Sequence, residues 1–427
     1  MLLAVVAVPF AASVAGGPTT DADASASASS PASPGRSAAL SPARSPERWS
    51  GLSPGLTPNA SPSPSPGGSS SRPAAPSAAP PSAASGTSGA FTLVATGDLL
   101  VHGPVADRAL ANGHARRYDF RPMLREVRPI VAAADLALCH VETPLSADDA
   151  DISGYPVFNT PHEVADAVAW AGYDGCSTAS NHAVDQGLAG VRNTLHALDA
   201  DHLGHAGTAR SATEAKRVAL YRVNGAVVAH LSYTYGTNGM PVPSGAPWAV
   251  KVTSVRRILA DARRARAAGA TFVVVSLHWG QEFQSAPTAT QLSQAKALLA
   301  SPDVDLILGG HVHVQQPVAR FGDKYVVFGM GNLASNQSPA VGLRPQTQDG
   351  AIVGVHVVRH GTRWLADRVT ITATYCDIGP YTVVPVTKAL ADPSTPASLR
   401  ARLTASLHRT KAIYASLRGH QRDASVI

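Results

Sequence analysis

Phe91-Thr92-Leu93-Val94-Ala95-Thr96-Gly97-Asp98 is the first apolar run of a long, regularly patterned region. An apolar run of this length that stops at a glycine predicts a buried strand. Gly97 permits a tight turn where the chain must present the side chain of Asp98. The stretch therefore predicts a core strand with a carboxylate at its carboxyl end.

Apolar strands alternate with amphipathic helices in the residues that follow. Further strands are predicted at 136–139, 174–178, 218–223, 226–233, 271–275, 304–308, 325–328, 351–358 and 364–374. Helices are predicted after Pro122 and at 163–171, 188–200, 252–267, 291–300 and 396–417. Alternation calls for a mostly parallel sheet covered on both faces, whereas consecutive strands near the end indicate an antiparallel portion. The pattern predicts an α/β fold built as a layered sandwich.

Composition divides the 427 residues into three parts. Residues 1–16 form an apolar run that ends in small residues, resembles a secretory signal without its basic start, and is short for a membrane span. Residues 17–90 are almost entirely Ser, Pro, Ala, Gly and Thr, a mixture that predicts a disordered linker. Residues 91–427 hold the folded domain. We expect an exported protein, extracellular or associated with the cell wall.

Charge and cysteine content constrain the partners and the covalent framework. The formal net charge of +6 is modest, and no dense Lys/Arg cluster with interleaved aromatics argues for nucleic acid as a partner. The three cysteines are too few for a disulfide-built fold. Cys139 and Cys176 lie near the ends of neighbouring predicted strands, so a bridge between them and two free buried thiols are both open.

Unusual polar clusters lie immediately after the predicted strands. They are Gly97-Asp98 with His102, His140-Val141-Glu142, Ser180-Asn181-His182 with Asp185, His278-Trp279-Gly280 with Glu282, Gly309-Gly310-His311-Val312-His313, and Gly331-Asn332. The carboxyl ends of parallel strands meet along one edge of a sheet, where open α/β folds place their sites. We therefore expect the clusters to converge in space.

Imidazole nitrogens, carboxylates and an amide carbonyl together suit divalent ions such as Mn, Zn or Fe. Two such ions can clamp the attacking and leaving oxygens of a displacement and supply hydroxide at neutral pH. His311 and His313 are expected to point together because alternate residues of an extended segment share one face. Taken singly, Asp98 also fits a turn and Asn181 a helix cap. The joint pattern predicts a metal centre.

The ordered motifs resemble the CapA capsule-synthesis family, associated with poly-gamma-glutamate, of the calcineurin-like metallophosphoesterase superfamily. The resemblance runs from about Phe91 to Asn332 and is carried by the blocks Gly97-Asp98, Val141-Glu142-Thr143-Pro144-Leu145, Ser180-Asn181-His182-Ala183-Val184-Asp185-Gln186-Gly187, His278-Trp279-Gly280-Gln281-Glu282, Gly310-His311-Val312-His313-Val314-Gln315-Gln316-Pro317 and Gly329-Met330-Gly331-Asn332. It implies a layered α/β/β/α sandwich of metallophosphoesterase type, with mixed sheets flanked by helices.

The resemblance also implies roles for individual residues. Asp98, His102 and His313 would hold one metal, and Asn181, His278 and His311 a second, with Glu142 between the two. His182 would be the catalytic non-ligand that protonates a leaving oxygen or stabilises the equatorial charge, while Asp185, Glu282 and Asn332 would support the ligands or the substrate. His140 would contact substrate or only fill space. Superfamily members typically carry Asp-x-His and a bridging Asp, where this chain has Asp98-x-x-x-His102 and Glu142.

Two functions follow from the resemblance. The first is a metal-dependent hydrolase that acts on phosphate esters or on an anionic cell-surface polymer. The second is a protein that binds, exports or attaches capsule polymer through the same cleft, with membrane capsule-export proteins as candidate partners. A purely structural zinc site is a weaker alternative, because structural zinc is normally closed and four-coordinate and the candidate ligands are too many for one ion.

Overall fold

A computed structural model describes residues 89–416 and 424–427. The secretory signal predicted over 1–16 lies outside the described residues. The linker predicted over 17–90 also lies outside the described residues, apart from its last two residues. Of these, Ala90 belongs to the first strand and not to a linker.

The described chain contains fifteen strands and nine α-helices, with three short 3-10 turns. The strands are β1 Ala90–Leu99, β2 Leu136–Val141, β3 Gly175–Ser177, β4 Gly204–Ala206, β5 Ala219–Val223, β6 Ala226–Thr234, β7 Phe272–His278, β8 Leu306–Gly310, β9 Gln315–Phe321, β10 Lys324–Met330, β11 Asn332–Ala334, β12 Asp349–His360, β13 Arg363–Asp377, β14 Thr382–Pro385 and β15 Ala424–Val426. The helices are α1 Gly103–Asn112, α2 Arg121–Leu124, α3 Arg128–Val131, α4 Glu163–Ala171, α5 Gly187–Ala200, α6 Val255–Ala267, α7 Ala289–Leu299, α8 Val386–Ala391 and α9 Ala397–Tyr414.

The strands form two mixed sheets. The larger has the order β14-β13-β12-β1-β2-β3-β4, with β11 beside β1 and β15 beside β13. Its β1 to β4 half is parallel and its β12 to β14 half is antiparallel. The smaller has the order β5-β6-β7-β8-β10-β9, parallel at its centre with antiparallel edge strands. The consecutive strands predicted near the end thus form the antiparallel portion.

Four apolar cores lie among the described residues, and the smallest of them packs α8 and α9 against β13 and β14. The two sheets pack face to face through residues such as Leu93 and Val353 of the larger sheet and Phe272 of the smaller one. The outer face of the larger sheet is covered by α1, α4 and α5 through a second core, and α6 and α7 cover the smaller sheet through a third. This α/β/β/α arrangement confirms the predicted fold class.

Most predicted elements lie within a few residues of those observed, and α4 matches its predicted bounds. Seven observed elements have no predicted counterpart, namely the strands β4, β9, β11, β14 and β15 and the helices α1 and α8. Helix α1 opens with Gly103-Pro104, and β9 is an edge strand that carries Pro317, as Pro in a sheet commonly does. Where a helix was predicted after Pro122, the chain forms the two short helices α2 and α3.

Cys139 and Cys176 form a disulfide between the neighbouring strands β2 and β3, where they are register partners with Cα atoms 4.4 Å apart. Cys376 is free and buried. No helix among the described residues is sufficiently long and apolar for a membrane crossing.

Candidate metal centre

Parallel strands of both sheets end at a common edge, and the predicted site residues lie there. Asp98 lies opposite His140 in the register of β1 and β2, and opposite Asn332 in the register of β1 and β11. In the smaller sheet His278 ends β7 opposite Gly310 of β8. The expected convergence of the clusters is therefore observed.

Gly97 allows the backbone approach that joins two of these clusters. A Cβ atom on Gly97 would lie 1.8 Å from the carbonyl oxygen of Gly331, which accepts a hydrogen bond from the backbone N–H of Asp98 at 3.0 Å. No side chain larger than hydrogen fits that space. The tight turn predicted at Gly97 is wrong, because β1 continues to Leu99. The glycine is required instead by the close contact between β1 and the segment that leads into Asn332.

Two fully buried carboxylates form the centre of the site. Asp98 accepts a hydrogen bond from the backbone N–H of His311 at 3.0 Å through Oδ2, while its Oδ1 has no hydrogen-bond partner. Neither carboxylate oxygen of Glu142 has a partner, although the residue is 0% exposed. Buried charged groups without partners are costly and normally pair with an ion or a hydrogen-bond donor.

Imidazole rings surround these carboxylates. Oε1 of Glu142 lies 3.7 Å from Nε2 of His278 and 3.7 Å from Nε2 of His313, so the carboxylate stands between the two rings. Nδ1 of His313 lies 3.3 Å from Oδ2 of Asp98. Nε2 of His278 lies 2.7 Å from Oδ1 of Asn181.

Three groups of side chains in this cluster could each hold a metal ion, because their ligand atoms lie within 4.8 Å of one another. The groups are Asp98 with His140 and His278, Asp98 with Glu142 and His313, and Glu282 with His311 and His313. The donors are nitrogens and oxygens, the set that suits borderline divalent ions. Several of these atoms are buried without partners, so the residues present fit a metal centre.

The protonation of the site follows from burial and from the proximity of opposite charges. Burial raises the pKa of Asp98, but the hydrogen bond to His313 and the positive charge of that ring outweigh it, so the pKa lies below its usual value. Burial raises the pKa of Glu142 well above its usual value. Burial would lower the pKa of His313, yet Glu142 and Asp98 raise it to about 9. Burial lowers the pKa of His311 to about 3.

His182 and Asp185 form a pair at the edge of the cluster. Nδ1 of His182 lies 2.7 Å from Oδ2 of Asp185, and that oxygen also accepts a hydrogen bond from the backbone N–H of Phe158 at 2.8 Å. The ring of Phe158 lies edge-on to His182 with centroids 4.7 Å apart. The helix cap suggested for Asn181 is wrong, because α5 begins later and its N-cap residue is Gln186.

The expectation of an extended segment at His311 and His313 is also wrong. Their φ values are 86° and 56°, in the left-handed region that non-glycine residues rarely adopt. The two rings nevertheless lie near each other, with centroids 6.0 Å apart. A strained turn, and not the alternation of a strand, brings the two imidazoles together.

Three other predicted site residues lie at different distances from the cluster of candidate ligands. Asn332 contacts Nδ1 of His313 through Oδ1 at 3.0 Å. Glu282 is near His311 and His313 but is not buried. His102 belongs to none of the three groups, and its Nδ1 lies 3.2 Å from the carbonyl oxygen of Leu100 and 3.3 Å from the backbone nitrogen of Asn336. The roles of these residues stay predictions.

Sequence reasoning missed two residues that follow β6. Nδ2 of Asn238 lies 3.4 Å from Nε2 of His182, and Oδ1 of Asn238 accepts hydrogen bonds from Asn181 and Tyr235. The ring of Tyr235 lies 4.5 Å from that of His311. The rule that polar residues follow strands at this edge would have included them, because β6 is parallel to β7.

A protein with two mixed sheets between helical layers and a histidine–carboxylate cluster at the strand ends is a layered α/β protein with a candidate metal centre. The model of the family described as bacterial capsule synthesis protein PGA_cap matches residues 92–337. The chain belongs to this family, which confirms the resemblance drawn from the motifs.

Two relatives and one solved structure show what this chain is similar to. The capsule biosynthesis protein CapA of Bacillus anthracis is 26% identical over 280 residues, which are 64% of this chain and 65% of that protein. The PGA biosynthesis protein CapA of Bacillus subtilis (strain 168) is 27% identical over 246 residues, 55% of this chain and 61% of that protein. The similarity thus spans less than two thirds of either relative. A solved structure of the calcineurin-like phosphoesterase YfkN from Bacillus subtilis aligns with a TM-score of 0.43 and 13% identity, over 75% of this chain and 96% of that chain.

Proposed function

We propose that the protein is a metal-dependent hydrolase that acts on an anionic cell-surface polymer of the poly-gamma-glutamate type or on a phosphate ester. The observation that carries the proposal is the pair of buried carboxylates, Asp98 and Glu142, with unpartnered oxygens inside a ring of imidazoles. A metal centre built this way supplies Lewis acidity and an activated water. The proposed ions are two, of Mn, Zn or Fe.

The site residues have two proposed roles, which are binding the metal ions and donating a proton. Asp98, Glu142, Asn181, His278, His311 and His313 would hold the ions. His182 is held through Nδ1 by Asp185, which leaves Nε2 to donate a proton to the leaving oxygen. Nδ2 of Asn238 is a donor 3.4 Å from that same nitrogen and must turn away when Nε2 carries the proton, while Phe158 packs against the ring and fixes its orientation.

The test is cleavage by the purified full chain in the presence of Mn²⁺. The substrates are a chromogenic phosphodiester and poly-gamma-glutamate, followed by absorbance and by polymer length. We expect cleavage by the unmutated protein that is lost in Asp98→Ala and in His182→Ala. Unchanged activity in these variants would reject the hydrolase.

A second candidate function is binding, export or attachment of capsule polymer without cleavage. It is favoured by the names of the family and of its relatives, which refer to capsule synthesis and not to a hydrolytic reaction. Under this function Asp98→Ala would lower polymer binding while no cleavage occurs in any variant. Polymer retention on the immobilised protein separates the two functions.

The cellular location is part of the proposal. The apolar run at 1–16 and the Pro/Ser-rich stretch at 17–90 support export and a span through the cell wall. Fractionation of cells that carry a C-terminally tagged chain should recover it outside the cytoplasm. Recovery in the cytoplasmic fraction would reject this part.

A further inference from the structure

A hydroxyl group fixes the proton position on His140. Oγ of Ser177 donates a hydrogen bond to the carbonyl oxygen of Cys139 at 3.3 Å and lies 2.8 Å from Nδ1 of His140. A hydroxyl has one proton to donate, so with that proton on the carbonyl it accepts from Nδ1–H of the imidazole. The remaining nitrogen, Nε2, then carries a lone pair.

That lone pair faces a carboxylate oxygen in a buried space. Nε2 of His140 has no hydrogen-bond partner and lies 3.9 Å from Oδ1 of Asp98, which has none either. The distance is too long for a hydrogen bond between them. Two unpaired acceptors that face each other away from water are unfavourable unless a cation lies between them.

Neighbouring residues complete the set of donors and provide the space. Asp98 is shared between the group with His140 and His278 and the group with Glu142 and His313. A Cβ atom on Gly310 would lie 2.5 Å from Oδ1 of Asp98, so the absence of a side chain there keeps the space beside this oxygen open. The ring of His140 lies 4.9 Å from that of His278.

His102 has a different environment. Its Nδ1 is near the carbonyl oxygen of Leu100 and the backbone nitrogen of Asn336, and its ring packs edge-on against Phe158 with centroids 5.5 Å apart. It occupies the N-cap position of α1 and is half-buried. These backbone contacts occupy Nδ1 and leave Nε2, but His102 belongs to no group of ligand atoms that lie within 4.8 Å of one another among the described residues, whereas His140 does.

From this geometry we infer that His140, and not His102, is the imidazole that binds a divalent metal ion together with Asp98, and that Ser177 positions it. The inference rests on the proposed function, since it names a ligand of the same metal centre. Ser177 acts through His140 alone and does not contact the ion. The pattern is that of a metal-bound histidine whose second nitrogen is hydrogen-bonded to an oriented partner.

The experiment measures metal content and affinity, not activity. The full chain and its variants are dialysed to equilibrium against Mn²⁺ and analysed by elemental mass spectrometry, with affinities from competition with a chelator. His140→Ala should bind fewer ions per chain than the unmutated protein, and Ser177→Ala should bind with about 10-fold or more weaker affinity. His102→Ala should keep the metal content. His356→Ala, a partly exposed histidine hydrogen-bonded to Asp367 at 2.7 Å, is the matched control.

Two outcomes are distinguishable. The inference is overturned if His140→Ala binds as many ions as the unmutated protein, or if His102→Ala binds fewer instead. Either result leaves the proposed function standing. An unmutated protein that binds no metal overturns both. If His140→Ala does not fold, a crystal structure of the unmutated chain with Zn²⁺ decides, because Nε2 of His140 should lie about 2.0 to 2.1 Å from the ion. An ion that contacts His102 there, and not His140, contradicts the inference.

Discussion

Oδ2 of Asp185 joins His182 to the loop that covers it. The oxygen lies 2.7 Å from Nδ1 of His182 and accepts the backbone N–H of Phe158 at 2.8 Å. The carboxylate is buried, with a side-chain exposure of 2%. One oxygen thus fixes both the imidazole and the segment whose phenyl ring packs on it.

This pairing predicts a loss of turnover without a loss of metal. For His182→Ala we expect kcat to fall by about 10² to 10⁴, the usual contribution of general acid–base catalysis, with metal content unchanged. Asp185→Asn should lower kcat by a smaller factor, because the ring remains but is less firmly oriented. Phosphodiester cleavage and elemental analysis of the same samples provide the two measurements.

The pair of His356 and Asp367 offers a matched control for these substitutions. Nδ1 of His356 lies 2.7 Å from Oδ1 of Asp367, the same separation, but both side chains are partly exposed on the β12 and β13 strands. His356→Ala and Asp367→Asn should leave kcat unaltered. Equal losses in both pairs would point to a general effect on the fold and contradict the assigned role of His182.

We expect the substitution Gly310→Ala, which adds one methyl group, to weaken metal binding. A Cβ atom there would lie 2.5 Å from Oδ1 of Asp98, so Gly310→Ala must displace the carboxylate. We expect metal affinity to fall by about 10-fold or more, the scale of loss when a ligand is misaligned. Gly103→Ala is the control, because no atom lies within 4 Å of its Cβ position. Normal metal binding in Gly310→Ala would show that Asp98 is not a ligand.

The positions of the site residues, more than their conformations, were predictable from the sequence. The expectation that polar residues after parallel strands meet at one edge correctly brought Asp98, His278 and His311 together from three strands. The turn at His311 and His313 was not predictable, because positive φ in a histidine depends on tertiary contacts that override local preference. The contact between His140 and Ser177 depends on the register of β2 and β3, which the sequence does not specify.

The raised pKa of His313 predicts that metal affinity depends on pH. The carboxylates of Glu142 and Asp98 outweigh burial and raise this pKa to about 9, so the metal-free protein carries the proton at pH 7. A metal ion must displace that proton, and affinity should therefore increase as pH rises from 7 and level off above about 9. One displaced proton corresponds to about a tenfold gain per pH unit.

Calorimetric titration of Mn²⁺ in buffers of different ionisation enthalpy measures the protons released. At pH 7 we expect about one proton from His313 for each ion that uses it. His313→Gln should lose both the proton release and the dependence on pH. An affinity that is constant between pH 7 and pH 9 would contradict the assignment of His313 as a ligand.

Glu142 predicts opposite changes in stability with and without metal. Both of its carboxylate oxygens are buried without a partner, and burial raises its pKa well above the usual value, so in the metal-free protein this side chain is destabilising. In Glu142→Gln the charge is absent, and we expect the metal-free protein to gain about 1 to 3 kcal/mol of unfolding free energy. The unmutated protein should be stabilised by Mn²⁺, whereas the variant should respond weakly, because the ligand between the two proposed ions is lost.

Urea unfolding with chelator and with Mn²⁺ measures both effects. Glu126→Gln is the control that should change neither, because Glu126 is exposed and lies 3.4 Å from Lys388. If Glu142→Gln is less stable than the unmutated protein without metal, groups within the protein stabilise the Glu142 carboxylate, and its assignment as a metal ligand is contradicted.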